Sequence, residues 1–170
     1  MGPDPVIRSP DAVRVRQARA EDRAFVFETA GRLAAFGPPP WRTSDDVIEG
    51  EVRTLRDFFE TDFHETPRSS SSSLLIAESE AGEPWGFLFL EELRDYFTHE
   101  QHGHIGILAV AEAVEGRGAG AALMRAAEKW SRDRRHRLLT LNVFENNRHA
   151  RDVYEHFGYR QDTVKYIKAL

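Results

Sequence analysis

A bend of three alternate glycines between an apolar run and a long helical pattern constrains the fold of this chain most. The stretch "LAVAEAVEGRGAGAALMRAAEKW" (residues 108–130) places the glycines at 116, 118 and 120, and good helix formers follow them. Glycine lets the backbone turn without a Cβ atom in the way, and the first four N–H groups of a helix have no partner inside it. The bend is therefore typical of an amide nest that binds phosphate. Glycines alone are also consistent with a tight turn that packs a helix on a sheet.

The hydrophobic periodicity predicts one α/β domain over residues 12–170, after an N-terminal tail of residues 1–11. Alternating apolar residues predict strands, three of which follow one another as an antiparallel meander, and apolar residues at helical spacing predict four helices. The order β-α-α-β-β-β-α-β-α-β contains neither a repeat nor a linker, so all layers belong to one structure. The predicted elements are strand 12–18, helices 21–36 and from 43 or 44 onward, strands 74–80, 85–93 and 104–110, helix 119–134, strand 138–144, helix 147–157 and strand 160–170.

Composition excludes several classes of function. The net charge is −5, whereas a general nucleic-acid-binding protein carries a basic surface, so we expect no nucleic-acid partner. No apolar run reaches the roughly 18 residues that span a bilayer, and the first residues lack the apolar core of a signal peptide. We therefore expect no membrane partner and a cytoplasmic location. Because the chain has no cysteine, it can form neither a disulfide, nor a thiolate metal site, nor an acyl-cysteine.

Two familiar phosphate-binding motifs fit the bend poorly. A P-loop needs Lys followed by Ser or Thr after its last glycine, but Gly120 is followed by two alanines. The dinucleotide fingerprint G-x-G-x-x-A is met by Gly116, Gly118 and Ala121. However, the polar segment "AEAVE" separates the preceding strand from the first glycine, and only about two strands remain for a doubly wound sheet.

A third motif fits better and is joined by a second one. The run "LAVAEAVEGRGAGAAL" resembles the acetyl-CoA-binding motif of the GCN5-related N-acetyltransferase (GNAT) superfamily, and "VFENNRHARDVYEHFGY" resembles its second motif. The resemblance implies a single-domain GNAT-like α/β fold. Its mixed, mostly antiparallel sheet of about six to seven strands would be splayed at the centre, with about four helices on both faces. The positions that match the second motif are Val143, Asn147, Ala150, Tyr154, Gly158 and Tyr159.

The resemblance also implies a binding site for acetyl-CoA as co-substrate. The backbone of Leu108 and Val110, with Ala109 between them, would pair with the pantetheine arm. Asn147 would either cap the last helix or donate to pantetheine, and both roles are compatible. The pyrophosphate would lie on the bend, which comprises Glu115, Gly116, Arg117, Gly118, Ala119, Gly120 and Ala121.

One position in the bend departs from the family pattern. The superfamily prefers Gln or Arg where this chain has Glu115, and a carboxylate beside a pyrophosphate is unfavourable unless it points away or caps a neighbour. We expect Glu115 to contribute geometry and not charge. Arg117 would supply the positive charge or be solvated.

By the same resemblance, Tyr154 is the candidate general acid and His104 a candidate base. A thiolate of conjugate pKa near 8.5 would leave, and a phenol of pKa about 10 is protonated at neutral pH and can donate to it. Several family members carry Glu near the position of His104, and an imidazole near pKa 6.5 could do the same work. The alternatives are a tyrosine that only packs in the core and a polar residue at the start of a strand.

Other polar residues give weaker signals. Asp95, His99, His102 and His104 lie on a hairpin whose spacing favours a solvated loop, so we expect no metal. The basic run 132–137 could reach the 3′-phosphate of CoA or end a helix in solvent. The acceptor would be a small-molecule amine or a peptide amine, shaped by residues 19–60 and 94–103, and a homodimer is left open. A non-catalytic acyl-CoA-binding module on the same fold is the alternative function.

Overall fold

The computed structural model describes residues 12–61 and 71–170, and the predicted tail of residues 1–11 lies outside the described residues. Each element predicted before residue 158 has a counterpart, and short 3₁₀ turns lie before and after α1 and before the glycine bend. The elements are β1 (Arg14–Gln17), α1 (Arg23–Ala30), α2 (Ser44–Thr61), β2 (Ser72–Glu78), β3 (Pro84–Arg94), β4 (Gln101–Val110), α3 (Ala119–Asp133), β5 (Leu139–Leu141) and α4 (Arg148–His156).

Within the described residues the strands form one five-stranded sheet, in the order β1-β2-β3-β4-β5. The first four strands are antiparallel neighbours, and β5 runs parallel to β4. The expectation of six to seven strands is too high, because residues 160–170 form neither helix nor strand and are exposed. A strand there would need a neighbouring edge, and β5 pairs with β4 over only three residues, which makes that edge short.

The first helix is shorter than predicted. It ends at Ala30, and a 3₁₀ turn over Gly31–Ala34 follows it. Glycine is a poor residue for a helix interior, which accounts for the change of geometry at Gly31. The chain then turns at Gly37, whose φ is +78°, and residues 35–43 link α1 to α2.

Apolar residues pack into two cores, one on each face of the sheet. On the α3 face, the buried stripe of α3 and partly buried residues of α4 pack against the sheet. On the α2 face, α1 and α2 pack against the alternate residues of the strands. The largest contributors to the α3 face are Trp85, Leu88, Leu90, Leu123, Met124 and Trp130, and those to the α2 face are Leu55, Phe59, Leu74, Ile76, Phe87 and Phe89.

A β-bulge in β4 opens the sheet beside β5. Phe89 of β3 lies opposite Ile107 and Leu90 lies opposite Ile105, so Gly106 is an extra residue in β4. β5 pairs with residues 103–105 only, and the rest of β4 pairs with β3 alone among the described residues. The predicted splay of the sheet is therefore present, and it begins at Gly106.

Candidate active site

The glycine bend has left-handed backbone at two of its three glycines. Gly116 and Gly118 have φ angles of +73° and +93°, which glycine adopts without strain and other residues rarely adopt. Gly120 has ordinary helical backbone, and a Cβ built there would lie 3.8 Å from Cγ2 of Val110, an ordinary contact. The bend therefore requires glycine at 116 and 118 but not at 120.

The N-terminus of α3 presents open amides. Gly118 precedes the first helical residue and has no side chain to cap the helix. The first i→i−4 bond runs from the Ala122 N–H to Gly118 O at 3.0 Å. The amides of Gly118, Ala119, Gly120 and Ala121 thus have no protein acceptor in the described part of the chain. Four such amides at the positive end of a helix dipole fit the predicted pyrophosphate site.

An arginine that the sequence analysis did not identify neutralises Glu115. Arg32, in the turn after α1, donates from Nη2 to Glu115 Oε1 at 2.6 Å and from Nη1 to Val110 O at 2.8 Å. The ion pair removes the main electrostatic objection to a carboxylate in the bend. Nothing in the sequence pointed to this contact, because the two partners are 83 residues apart.

Arg117 lies on the ring of Trp85. Its Cζ atom is 4.2 Å from the ring centroid, and Trp85 is almost fully buried at the start of β3. A guanidinium over an indole face is an attractive arrangement. The contact fixes the middle of the glycine bend against the sheet, and a role of Arg117 toward phosphate stays a prediction.

In the second half of β4, residues 107–110, alternate backbone groups point into the opening. The opening is the gap between β4 and β5 that begins at Gly106. The Ala111 N–H donates to Trp85 O of β3 at 2.8 Å. Since the backbone groups of successive residues in a strand point to opposite sides, those of Val110 and Leu108 point away from β3. Ala109, between them, is buried on the α2 face. This open strand edge fits the predicted pairing with pantetheine.

Asn147 caps α4, as one of its two predicted roles required. Its Oδ1 accepts from the Ala150 N–H at 3.3 Å. The cap uses the oxygen of the amide and leaves the Nδ2 donor for another acceptor. Donation to pantetheine stays a prediction.

Tyr154 is partly buried on the α3 face, and its hydroxyl has no hydrogen-bond partner among the residues that the structure describes. Burial raises the pKa of this phenol above its ordinary value of 10, so it is protonated at neutral pH. The neighbouring Tyr159 ring lies 6.1 Å away, centroid to centroid. The Tyr159 hydroxyl is fully buried, and burial raises its pKa to about 12. Of the two phenols, Tyr154 is therefore the accessible proton donor.

His104 lies on the α2 face next to the bulge and is 8% exposed. Its Nδ1 is 2.8 Å from Thr140 Oγ1, and that hydroxyl donates to Gly103 O at 3.4 Å. This network assigns the imidazole proton to Nδ1 and the lone pair to Nε2. Burial, and the nearby His102, lower the pKa of His104 below 6.5. The ring is thus neutral at pH 7, as a base requires.

Two further carboxylates on the α2 face escaped the sequence analysis. Glu91 of β3 pairs in register with His104, and Glu51 projects from α2. A Cβ built on Gly106 would lie 3.7 Å from Glu91 Oε1. Glu91 therefore lies beside the bulge, and burial and the nearby Glu91 raise the pKa of Glu51. Each interrupts an apolar pattern, and this interruption is the feature of the sequence from which they could have been recognised.

The links that border the opening contact each other. Phe36, in the α1–α2 link, stacks on Phe144, in the β5–α4 link, with ring centroids 5.1 Å apart. Asn146 Nδ2 donates to Gly37 O at 2.7 Å, and the Arg42 guanidinium lies 5.7 Å from the Phe144 ring. These contacts tie the α1–α2 link to the segment that leads from β5 to α4.

The other predicted polar residues have structural partners. Asp95 Oδ1 accepts from the amides of Phe97 and Thr98 and so caps the hairpin turn. In the basic run, Arg132 and Arg137 pair with glutamates at 2.6 and 2.9 Å. Within residues 12–61 and 71–170, no three His, Cys, Asp or Glu side chains are grouped so as to hold a metal ion. None of the helices in those ranges has the length and apolar character to cross a membrane.

The chain matches one family model and one relative over most of its length. The sequence model of the family described as "Acetyltransferase (GNAT) family" matches residues 39–159. The N-acetyltransferase YhfO of Bacillus subtilis (strain 168), itself uncharacterized, is 30% identical over 151 residues, which cover 89% of this chain and 92% of YhfO.

Solved structures agree with the family match. A protein from Pyrococcus furiosus with a provisional acetyltransferase assignment has a TM-score of 0.72 at 18% identity, covering 94% of this chain and 100% of its own. The ribosomal-protein-alanine N-acetyltransferase of Brucella melitensis biovar Abortus 2308 has a TM-score of 0.64 at 19% identity, with the same coverage of both chains. At these identities the likeness establishes the fold.

Proposed function

Because the chain belongs to the GNAT acetyltransferase family, we propose that it is an acetyl-CoA-dependent N-acetyltransferase that transfers the acetyl group directly to a primary amine. One observation supports this most: the open amides of residues 118–121 adjoin the half of β4 that β5 leaves unpaired. The acceptor would be a small-molecule amine or a peptide amine.

The residues of the opening fit acetyl-CoA. The amides of Gly118 to Ala121 would bind the pyrophosphate, and the open edge of β4 at Leu108 and Val110 would bind the pantetheine amides. The carbonyl of Val110 is engaged by Arg32, which leaves its N–H as the donor at that residue. Asn147 would add its Nδ2 donor from the start of α4.

The proposed chemistry uses two side chains from opposite faces of the sheet. The neutral acceptor amine forms a bond from its nitrogen to the acyl carbon as the carbon–sulfur bond breaks, and Nε2 of His104 takes the proton that this nitrogen then loses. The departing thiolate takes the proton of the Tyr154 hydroxyl, and the two side chains then regain their starting protonation from solvent. The chain lacks cysteine, so transfer within a ternary complex is the economical route.

Ligand binding and turnover test the proposal separately. At a concentration of about 100 times Kd, acetyl-CoA should stabilise the fold by about 2.7 kcal/mol in a thermal-shift assay, and NAD should not. Thiol release should then follow when acetyl-CoA is mixed with a panel of amines, aminoglycosides and peptide N-termini. A response to NAD alone would contradict the proposal, and binding of acetyl-CoA without turnover would favour a non-catalytic acyl-CoA-binding module.

A further inference from the structure

The buried stripe of α2 contains a carboxylate. Val47, Leu55 and Phe59 follow one another at four- or eight-residue spacing on the side of the helix that faces the sheet, and all three are buried. Glu51 occupies the remaining position of that stripe and is half-buried. An apolar residue would continue the stripe, so the carboxylate faces the sheet rather than solvent.

In strand β3, a glutamate likewise occupies the position of an apolar residue on the same face of the sheet. Phe87 and Phe89 are buried against α1 and α2, and Glu91 is the next residue of that alternating series. Its Oε1 lies 3.7 Å from the position of a Cβ on Gly106. The side chain of Glu91 thus extends over the bulge at which the sheet opens.

Within residues 12–61 and 71–170, neither carboxylate has a counter-ion. Among the described residues, no hydrogen-bond donor or cation contacts Glu51 or Glu91. Burial raises the pKa of both carboxyls, and the nearby Glu91 raises that of Glu51 further. Two half-buried like charges without a partner destabilise a fold. Packing therefore does not explain why the two carboxylates lie at the opening.

Unpartnered imidazole nitrogens line the same face. His104, nine-tenths buried, lies directly opposite Glu91, and its Nδ1 is used by Thr140 while its Nε2 has no partner in the described part of the chain. His102, two residues earlier on the same face, has a fully buried Nδ1 that also lacks a partner there. On this face of the sheet, the carboxylates and the free imidazole nitrogens are all acceptors for N–H donors.

We propose that Glu51 and Glu91 form a cation subsite for the acetyl acceptor, and that the acceptor is a diamine or polyamine. The inference rests on the proposed function and names its substrate class. A second ammonium group of the acceptor binds between the two carboxylates, which keeps it charged. The amine that is acetylated then lies at Nε2 of His104, because residues opposite each other on neighbouring strands are only about 5 Å apart.

A metal ion explains the same groups less well. The described residues contain no cluster of three or more ligating side chains, whereas zinc in proteins takes at least three side-chain ligands and calcium takes six or more oxygen ligands. An ammonium group needs only a few acceptors at hydrogen-bond distance, and two carboxylates supply them.

The test compares a diamine with the monoamine that lacks only its second charge. The initial-rate kcat/KM is measured for 1,4-diaminobutane and 1-aminobutane, with acetyl-CoA saturating, in wild type, Glu51→Gln and Glu91→Gln. Glu60→Gln, on the exposed side of the same helix, is the matched control. We expect wild type to prefer the diamine at least tenfold, since a hydrogen bond to a charged group contributes that much. Each of the first two variants should reduce the preference severalfold, and the control should not.

Binding measurements separate this inference from the proposed function. Calorimetric titration of 1,4-diaminobutane into the protein should show binding that Glu91→Gln weakens, whether or not turnover is observed. If wild type neither binds nor prefers the diamine, or if both variants keep the full preference, the subsite is wrong even where acetyl-CoA binds and other amines react. If the diamine binds but acetyl-CoA does not, the subsite stands and the proposed function fails.

Discussion

The cofactor side and the acceptor side of the opening are built in different ways. On the cofactor side, backbone groups of one continuous segment, from Leu108 to Ala121, present the proposed donors and acceptors. On the acceptor side, the candidate groups are side chains from four elements: Glu51 on α2, Glu91 on β3, His104 on β4 and Thr140 on β5. A backbone site depends on conformation and can therefore survive most substitutions, whereas a side-chain site depends on each residue.

This difference has a physical basis in the two faces of the sheet. The amides at the N-terminus of α3 are open because a helix cannot satisfy its first N–H groups, whatever its side chains are. The carboxylates lie on the α2 face because a glutamate takes the place of an apolar residue once in the buried stripe of α2 and once in the alternating pattern of β3. Variants of the two sides should consequently differ in what they change: affinity for acetyl-CoA on one side, turnover and acceptor choice on the other.

The largest effect should come from Tyr154→Phe, which removes a proton donor and keeps the ring in its place. We expect kcat to fall about 100-fold, at the lower end of what general acids contribute. The KM for acetyl-CoA and the melting temperature should stay nearly constant, because the core loses no volume. Burial raises the pKa of Tyr154, so wild type should lose no activity through this group until the pH exceeds 10. Turnover within about threefold of wild type would make Tyr154 a packing residue.

A smaller effect, on binding, should follow from Gly118→Val. A β-branched residue in left-handed backbone costs about 1–2 kcal/mol, and the chain can avoid this strain by leaving the conformation that presents the amides. We therefore expect acetyl-CoA affinity, measured by calorimetry, to fall about 5- to 30-fold. Gly120→Ala is the matched control, since its backbone is helical and its Cβ would make only an ordinary contact. Equal affinities in all three proteins would show that the phosphates bind elsewhere.

The contrast between the two sides also explains what could be predicted from the sequence. The bend, the bounds of α3 and α4 and the position of Tyr154 follow from glycine spacing and helical periodicity, which are local properties. The contact of Arg32 with Glu115 joins residues 83 positions apart, and no local pattern encodes it. The bulge at Gly106 is likewise a property of strand register.

Glu51 and Glu91 are an intermediate case. Each stands where its helix or strand should carry an apolar residue, so each was visible as a break in a pattern. From the sequence alone, such a break is indistinguishable from the end of a buried stripe, because the partner on the other element is unknown. The C-terminal segment was misjudged for the opposite reason: residues 160–170 alternate like a strand, but β5 gives them only a short edge to join.

On the acceptor side, His104→Asn should lower kcat/KM about tenfold at neutral pH. Asparagine can keep the hydrogen bond to Thr140, while Nε2 is lost, so folding should be preserved. Since the pKa of His104 is lowered, the imidazole gains a proton, and wild type loses its base, only as the pH falls below 6.5. The acidic limb of the pH profile should thus lie below 6.5 in wild type and be absent in the variant. Thr140→Val, which keeps the imidazole, should retain the limb. A limb that persists in His104→Asn would assign the base to another group.

The smallest effect tests the ion pair beside the bend, where a side chain contacts the backbone groups of the cofactor side. Arg32 pairs with Glu115 beside the bend and also holds Val110 O. Arg32→Met keeps much of the side-chain volume but leaves the Glu115 carboxylate uncompensated near the pyrophosphate, so acetyl-CoA affinity should fall about threefold, as expected for a largely exposed charge pair. The double variant Arg32→Met/Glu115→Gln removes both charges and should return the affinity to within about twofold of wild type. A cycle of the four proteins, measured by calorimetry at low and high salt, isolates this coupling.

If Arg32→Met instead tightens binding, the arginine competes with pantetheine for Val110 O, and the cofactor side depends on a side chain after all. If Glu115→Gln changes the affinity neither alone nor together with Arg32→Met, Glu115 does not sense the phosphates, and the backbone alone sets the affinity there.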